Sequence, residues 1–324
     1  MLYLLSRFVL ATLCALLPVA AAGQGFPARP LTMIVTVPAG GSIDVMGRLI
    51  AAELAKSIGQ PVVVENKPGA GGNIAAEFVA KAPPDGHTMM ITSSSTLAIN
   101  PHVYKNLPFD PEKSFAPVVT TGRLNMLLAV HPSHNVSNLQ EFAALMKSRP
   151  GGLSFGSSGL GTLPHLAGEL LALRVGAKAN HVPYKGLPAA MNDLIAGRID
   201  FMFDSANAVP QVKAGKLDAL AVVGPNRLSP LPEVGTFREL GVRGMEAAAG
   251  WYGIFVPGGT PAAVVDRLNA DIVKILEMPT TKDKLTTIGL EPASSTSREL
   301  AAALKGDLEQ FRSLIQQLNL NLQN

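Results

Sequence analysis

Cysteine is almost absent from this sequence: Cys14 is the only one in 324 residues. A single thiol excludes an intrachain disulfide and a cysteine-clustered metal site. Charged side chains are scarce at 16%, and the formal net charge is only +3, with no basic run. Nucleic-acid binding needs clustered Lys and Arg interleaved with aromatics, so that class is excluded. Aromatics make up 5%. The six histidines, at 87, 102, 131, 134, 165 and 181, show no metal-ligand spacing. No metal and no cofactor are therefore expected. Beyond the N-terminal segment, no apolar run is long enough to cross a bilayer.

What is present is apolar: 47% of the chain, enough for well-buried cores. The length exceeds one ordinary core and fits two domains. The N-terminus reads as a secretory signal peptide over residues 1–22. It has a short segment carrying Arg7, an apolar stretch over 8–19, and small residues Ala20, Ala21 and Ala22 for cleavage. Cys14 lies inside that apolar stretch, so the mature chain is expected to have no thiol. The expected compartment is the periplasm.

The mature chain alternates strand and helix. Strands are expected at 31–37, 62–64 and 88–92, with a helix after the first carrying Ile43, Met46, Ile50, Leu54 and Ile58 at helical spacing. The middle repeats the pattern, with strands at 125–130, 153–156, 180–184, 199–203 and 217–223. Ser137 and Gln140 fit a capping box, and so do Thr296 and Glu299. Thr260 is expected as an N-cap with Pro261 at the first helical position. Continuous apolar strands between amphipathic helices predict parallel sheets with helices on both faces. After one strand at 251–256, two long helices end the chain; they pack more easily on an existing sheet than on a new one. The first domain is thus discontinuous, residues 26–121 plus 248–324, with residues 122–247 as the second. Two crossings, near 117–128 and 245–254, make a hinge and a cleft.

Candidate chemistry gathers at strand ends. Pro38-Ala39-Gly40-Gly41-Ser42 is a glycine-rich turn opening a helix. Free amides and the helix dipole favour an anion there; the alternative is a plain tight turn with Ser42 as cap. Ser94, Ser95 and Thr96, beside Ser93, can donate hydroxyls to a carboxylate, or form an ordinary polar loop. Ser157-Ser158-Gly159-Leu160-Gly161-Thr162-Leu163 is the second strand–loop–helix unit. His165, one helical turn in, either donates to a ligand or caps the loop. Asp204 ends a strand and can hold an ammonium or cap the next helix.

Three enzyme signatures fail. The glycines at 69–72 lack a dinucleotide fingerprint, because Ile74 replaces the third small residue. No acidic residue follows at 89–91 either. A nucleophile elbow at Gly156 and Ser158 is broken by Leu160. A serine hydrolase using Ser157 or Ser158 with His165 would also lack its acid partner. A receptor feeding a signalling system is a further alternative.

Several motifs in order resemble the substrate-binding receptors of tripartite tricarboxylate transporters, the TctC or Bug type. They are PAGGSIDVMGR at 38–48, GQPVVVENKPGAGGN at 59–73, PDGHT at 84–88 and AINP at 98–101. Further on come GSSGLGTLPHLAGE at 156–169, HVPYKG at 181–186, DFMFD at 200–204 and WYG at 251–253. The resemblance runs over residues 26–318. It implies a type II periplasmic-binding-protein fold with hinged closure, a small organic acid as ligand, and membrane permease subunits as partners of a monomer. It also implies that Ala39, Gly40, Gly41, Ser42, Ser94, Ser95, Thr96, Ser157, Ser158, Gly159, Leu160, Gly161, Thr162, Leu163, His165 and Asp204 surround the ligand carboxylate. Leu160 and Leu163 depart from more polar relatives and favour an apolar or aromatic ligand body. Ala249 and Gly250 replace bulkier neighbours and are expected to enlarge the cleft.

Overall fold

A computed structural model describes residues 25–320. The expected signal peptide, with Cys14, lies outside the described residues. The chain begins with β1 (Leu31–Val35), α1 (Ser42–Ile58), β2 (Val62–Asn66), α2 (Asn73–Ala80) and β3 (Thr88–Ser93). A π-turn over Ser95–Ile99 leads into α3 (Asn100–Val103), then β4 (Phe115–Leu124) and β5 (Met126–Val130). Next come α4 (Leu139–Ser148), β6 (Leu153–Ser157), α5 (Leu163–Val175), β7 (Ala179–Pro183), α6 (Leu187–Ile195) and β8 (Phe201–Asp204). α7 (Ala208–Lys213), β9 (Asp218–Val223), β10 (Gly250–Pro257), α8 (Ala262–Glu277), α9 (Pro279–Thr287), β11 (Glu291–Pro292) and α10 (Ser297–Gln317) complete it.

These elements make two α/β domains, each around one sheet. The first sheet has the order β11-β4-β10-β3-β1-β2, the second β7-β6-β8-β5-β9. Both are mixed, which corrects the expectation of parallel sheets. β1 is parallel to β2 and β3, but β10 runs antiparallel to β3 and β4. β6 is parallel to β7 and β8, but β5 is antiparallel to β8 and β9. Two of the reversed strands, β5 and β10, follow a passage between sheets; the short edge strand β11 is also antiparallel to β4. β4 itself gave no sequence signal, because Pro117, Gly122 and Arg123 interrupt its pattern.

Burial follows position. β1 and β5 lie inside their sheets and are apolar almost throughout. β2 is an edge strand and alternates, leaving Val63 49% exposed. α8 and α10 pack on β4 of the first sheet, burying Leu268, Ile272 and Ile275 from one and Leu300, Leu304, Phe311 and Ile315 from the other. Thr296 and Glu299 form the expected capping box. Two other caps differ. Asn138, not Ser137, accepts from the Glu141 amide, so the cap sits one residue later, and the Glu141 carboxylate accepts from the Ser137 amide instead of closing a box with Gln140. Pro261 is the N-cap of α8, because the Thr260 hydroxyl instead donates to the Pro257 carbonyl at 2.8 Å.

The turn before α1 is fixed from behind. The Asp44 side chain, 4% exposed, accepts from the Gly40 amide at 2.9 Å, from Arg48 Nε at 2.9 Å and from Asn66 Nδ2 at 2.8 Å. Burial alone would raise its pKa, but these bonds and the Arg48 charge hold it below the usual carboxylate value. Gly40 stands at φ 83°, a left-handed conformation open to glycine. One carboxylate therefore joins the loop, the helix and the end of β2.

In the second domain Phe155 stacks on Phe201 at 5.3 Å, and Phe142 meets Phe201 edge-on. α5 crosses this cluster at Gly168, where an added Cβ would lie 2.1 Å from the Phe155 ring. Gly168→Ala should therefore destabilise the protein by about 1–3 kcal/mol, outweighing the better helix propensity of alanine. Urea unfolding checks this; an unchanged midpoint would refute tight packing there. Asp44→Asn should cost about 1–3 kcal/mol at pH 7. Because the Asp44 pKa is depressed by folding, the wild-type advantage is complete above the ordinary carboxylate pKa. It should vanish as pH falls through the lowered folded value. Paired denaturation curves from pH 7 down to pH 3 would reveal the convergence.

Candidate functional site

A cleft of about 690 Å³ lies between the two sheets and draws its wall from both domains. The first domain supplies Thr36–Pro38 and Gly41–Ile43 before and within α1, Pro68–Gly72, Ser93, Ser95, Thr96, Tyr104 and Tyr252. The crossing supplies Leu124, Asn125 and Met126. The second domain supplies Ser158–Leu160, Thr162, Pro164, Pro183–Pro188, Asp204 and Ser205.

Asn125 is the pivot of the first crossing, a single residue between β4 and β5. Its side chain donates to Glu291 of the first domain. Its carbonyl accepts from Ser205 Oγ of the second at 2.5 Å. The chain returns between β9 and β10.

The two helix starts that face this region differ. At α1 the N-cap is Gly41, and no side chain caps the helix. Ser42 is thus the first helical residue rather than the cap. The helix presents its positive dipole end and its first amides to the cleft. At α5 the Leu163 amide donates to Ser95 Oγ across the domains at 3.0 Å. Pro164 has no N–H, and the Gly161 amide is taken by His165 Nδ1 at 3.2 Å. Thr162 Oγ1 donates to the Gly159 carbonyl at 2.8 Å. The Gly161, Thr162 and Leu163 donors are thus engaged within the protein, which leaves the His165 amide as the one unpartnered N–H in the first turn of α5.

Of the sixteen positions expected around a ligand, nine line the cleft: Gly41, Ser42, Ser95, Thr96, Ser158, Gly159, Leu160, Thr162 and Asp204. Seven do not, each for a visible reason. Ala39 and Gly40 are exposed residues of the turn outside the wall, and the Gly40 amide is bound to Asp44. Ser94 is fully buried against Gly250, and so is Leu163. An added Cβ on Gly250 would be 2.3 Å from Ser94 Oγ and 2.5 Å from Leu163 Cδ1. The space beside Gly250 is filled, so neither it nor Ala249 enlarges the cleft. Gly161 packs on Val103. Ser157 and His165 belong to a buried support. The rings of His165 and His181 stack at 3.9 Å, and Ser157 Oγ meets His181 Nε2 at 2.6 Å. Burial, with His165 beside it, pushes the His181 pKa down to about 3. A neutral, weakly basic ring bonded to a serine outside the cleft is a strut for the loop, not a nucleophile–base pair.

Asp204 is 2% exposed. Burial pushes its pKa up to about 6 despite bonds from Asn207 Nδ2 at 2.6 Å and the Ser205 amide at 2.7 Å. Tyr252 is raised by burial and by the Asp204 charge. Among the described residues, Asp204 and Lys185 are the only ones in the wall with ionisable acidic or basic side chains, apart from the tyrosines.

Sequence reasoning missed Thr36, Tyr104, Asn125, Tyr184, Lys185, Tyr252 and the 68–72 loop. That loop was set aside with the dinucleotide fingerprint, yet it is a wall. Its Gly71 carbonyl accepts from Thr96 Oγ1 at 3.0 Å, and a Cβ on Gly72 would meet that oxygen at 2.4 Å. Its signal was position, the C-terminal end of a parallel strand. Among the described residues no cluster of His, Cys, Asp and Glu could hold a metal, and no helix is long and apolar enough to cross a membrane.

The profile of the tripartite tricarboxylate transporter family receptor matches residues 46–320. The UPF0065 protein in the tcbD-tcbE intergenic region of Pseudomonas sp. strain P51 is 40% identical over 300 residues, covering 92% of this chain and 89% of that protein. The structure of R. palustris Rpa4515 with adipate is similar at TM-score 0.87 and 34% identity, over 91% of this chain and 98% of that one. MatC from Rhodopseudomonas palustris with bound malate gives TM-score 0.81 and 31% identity, over 90% and 100%. The two mixed-sheet domains, the cleft between them and these matches agree: the chain belongs to the tripartite tricarboxylate transporter receptor family.

Proposed function

We propose that this chain is a periplasmic solute receptor that captures a small organic carboxylate between its two domains and delivers it to the permease of a tripartite transporter. The observation that carries the reading is the uncapped start of α1, opening into a cleft whose hydroxyls come from both domains. A carboxylate is satisfied by several convergent donors, and backbone amides with serine and threonine hydroxyls supply them without a buried cation. Rpa4515 and MatC, both similar in fold and sequence, hold adipate and malate. Leu124, Met126, Leu160, Leu187 and Pro188 favour a ligand with an apolar stretch beside its carboxylate.

In this reading residues 26–121 with 248–324 form one body and residues 122–247 the other. They hinge at Asn125 and at the return before β10. The chain is exported by its N-terminal segment, acts as a monomer and carries out no chemistry on its ligand. The hydrolase alternative is not favoured: Ser157 is fully buried, and His165 is bonded to the Gly161 amide and stacked on His181 rather than paired with Ser157 or Ser158.

Isothermal titration with mono- and dicarboxylates of three to eight carbons tests the reading. Saturable binding is expected, weakened by about 0.5–1.5 kcal/mol in each of Ser42→Ala and Ser158→Ala. No heat from any carboxylate, with binding of an uncharged solute instead, would overturn it. The pH dependence follows from Asp204. An anion in the cleft favours its neutral form, so binding takes up a proton. Affinity for a dicarboxylate should rise as pH falls from 7.5 through about 6. Asp204→Asn should bind more tightly at pH 7.5 and lose most of that pH dependence.

A further inference from the structure

The two charged residues of the wall sit at different depths. Asp204 is buried at the floor, where β8 ends. Lys185 is exposed, on the loop between β7 and α6. No acidic side chain among the described residues lies within ion-pair distance of Lys185. Its ammonium is uncompensated, and no other cationic side chain faces the cleft.

The backbone under Lys185 is held on both sides. The Tyr184 amide donates to the Ser157 carbonyl at 3.0 Å, and its hydroxyl donates to Asp193 Oδ2 at 2.8 Å. On the other side Gly186 lies against Pro38 of the first domain, so close that an added Cβ would be 2.9 Å from Pro38 Cγ. Pro38 belongs to the turn that opens α1. Lys185 therefore stands where the second domain meets the positive end of α1, over the cleft mouth.

We infer that Lys185 is a specificity-determining residue that selects ligands bearing two negative groups, by taking the outer one at the mouth. The inference rests on the carboxylate reading of the site. One carboxylate engages the α1 amides and the surrounding hydroxyls. A second cannot settle on the floor without facing Asp204, so the field of the cleft directs it outward. A monocarboxylate has nothing to offer Lys185 and loses nothing when it is removed. Because the ammonium stays solvated, its effect is modest and sensitive to salt.

The test is titration of a six-carbon dicarboxylate and the six-carbon monocarboxylate against wild type, Lys185→Gln and Lys185→Arg, at pH 7.5 in 50 mM and 500 mM salt. Wild type should prefer the diacid. Lys185→Gln should weaken the diacid by about three- to fivefold at low salt and leave the monoacid within about twofold. Lys185→Arg should retain the preference, and high salt should narrow it in wild type. Equal effects of Lys185→Gln on both acids, or no effect on either, would overturn the assignment, as would equal affinities in wild type. If wild type binds neither acid, the carboxylate reading itself fails and this inference falls with it. An unchanged melting temperature in Lys185→Gln separates lost selectivity from lost folding.

Discussion

A helix that starts without a capping side chain leaves amide donors that water or a ligand must meet. In this protein that requirement is placed at the mouth of α1 and, at α5, reduced to a single amide. The difference is made by a few atoms. The Asp44 carboxylate turns back to hold the Gly40 amide, so the loop is rigid while the helix end stays open. At α5 the corresponding amide is met by Ser95 from the other domain. The site is thus asymmetric: one helix end is kept available for an anion, and the other is used to join the domains.

That second use gives the cleft its geometry. The Leu163–Ser95 bond is accompanied by contacts that only glycine permits. Gly161 admits Val103, Gly186 admits Pro38, and Gly289 admits Val209 and Ser205. Each pair bridges the two domains. A glycine loop that reads as a ligand cradle thus also serves as a surface on which the domains meet. The serine–histidine contact beneath it belongs to the same economy of parts. Ser157, His181 and His165 stiffen the 157–163 loop from behind, and burial keeps His181 neutral throughout the range in which a periplasmic receptor works.

Much of this was legible in the sequence because it depends on local patterns. Glycine and hydroxyl residues at the ends of apolar strands located three of the wall segments. The Thr296–Glu299 box was readable because both partners lie within four residues. What escaped depends on distant pairing. Ser95 and Leu163 are 68 residues apart, and nothing local to either predicts that one satisfies the other. Tyr252 reaches the cleft only because β10 inserts between β3 and β4, a placement that strand propensity does not encode. The antiparallel strands were misread for the same reason: periodicity reports that a strand is buried, not which way its neighbours run. Asn125 was hidden because it reads as the first residue of a strand at 125–130, while β4 before it carries no apolar pattern.

The division of labour between the domains follows from electrostatics. A buried fixed cation would be desolvated in the closed cleft, a cost that its attraction for a carboxylate repays only with excellent geometry. Amides and hydroxyls at α1 avoid that cost, because they are neutral and partly met by water when the cleft is open. The charged groups are instead one buried acid whose pKa lies near 6 and one lysine left in solvent at the mouth. Neither acts as a permanent counter-charge inside the closed cleft. Recognition of the anion therefore rests on dipoles that the fold has already oriented. The two charges then act on what accompanies it: the floor disfavours a second carboxylate, and the mouth favours one.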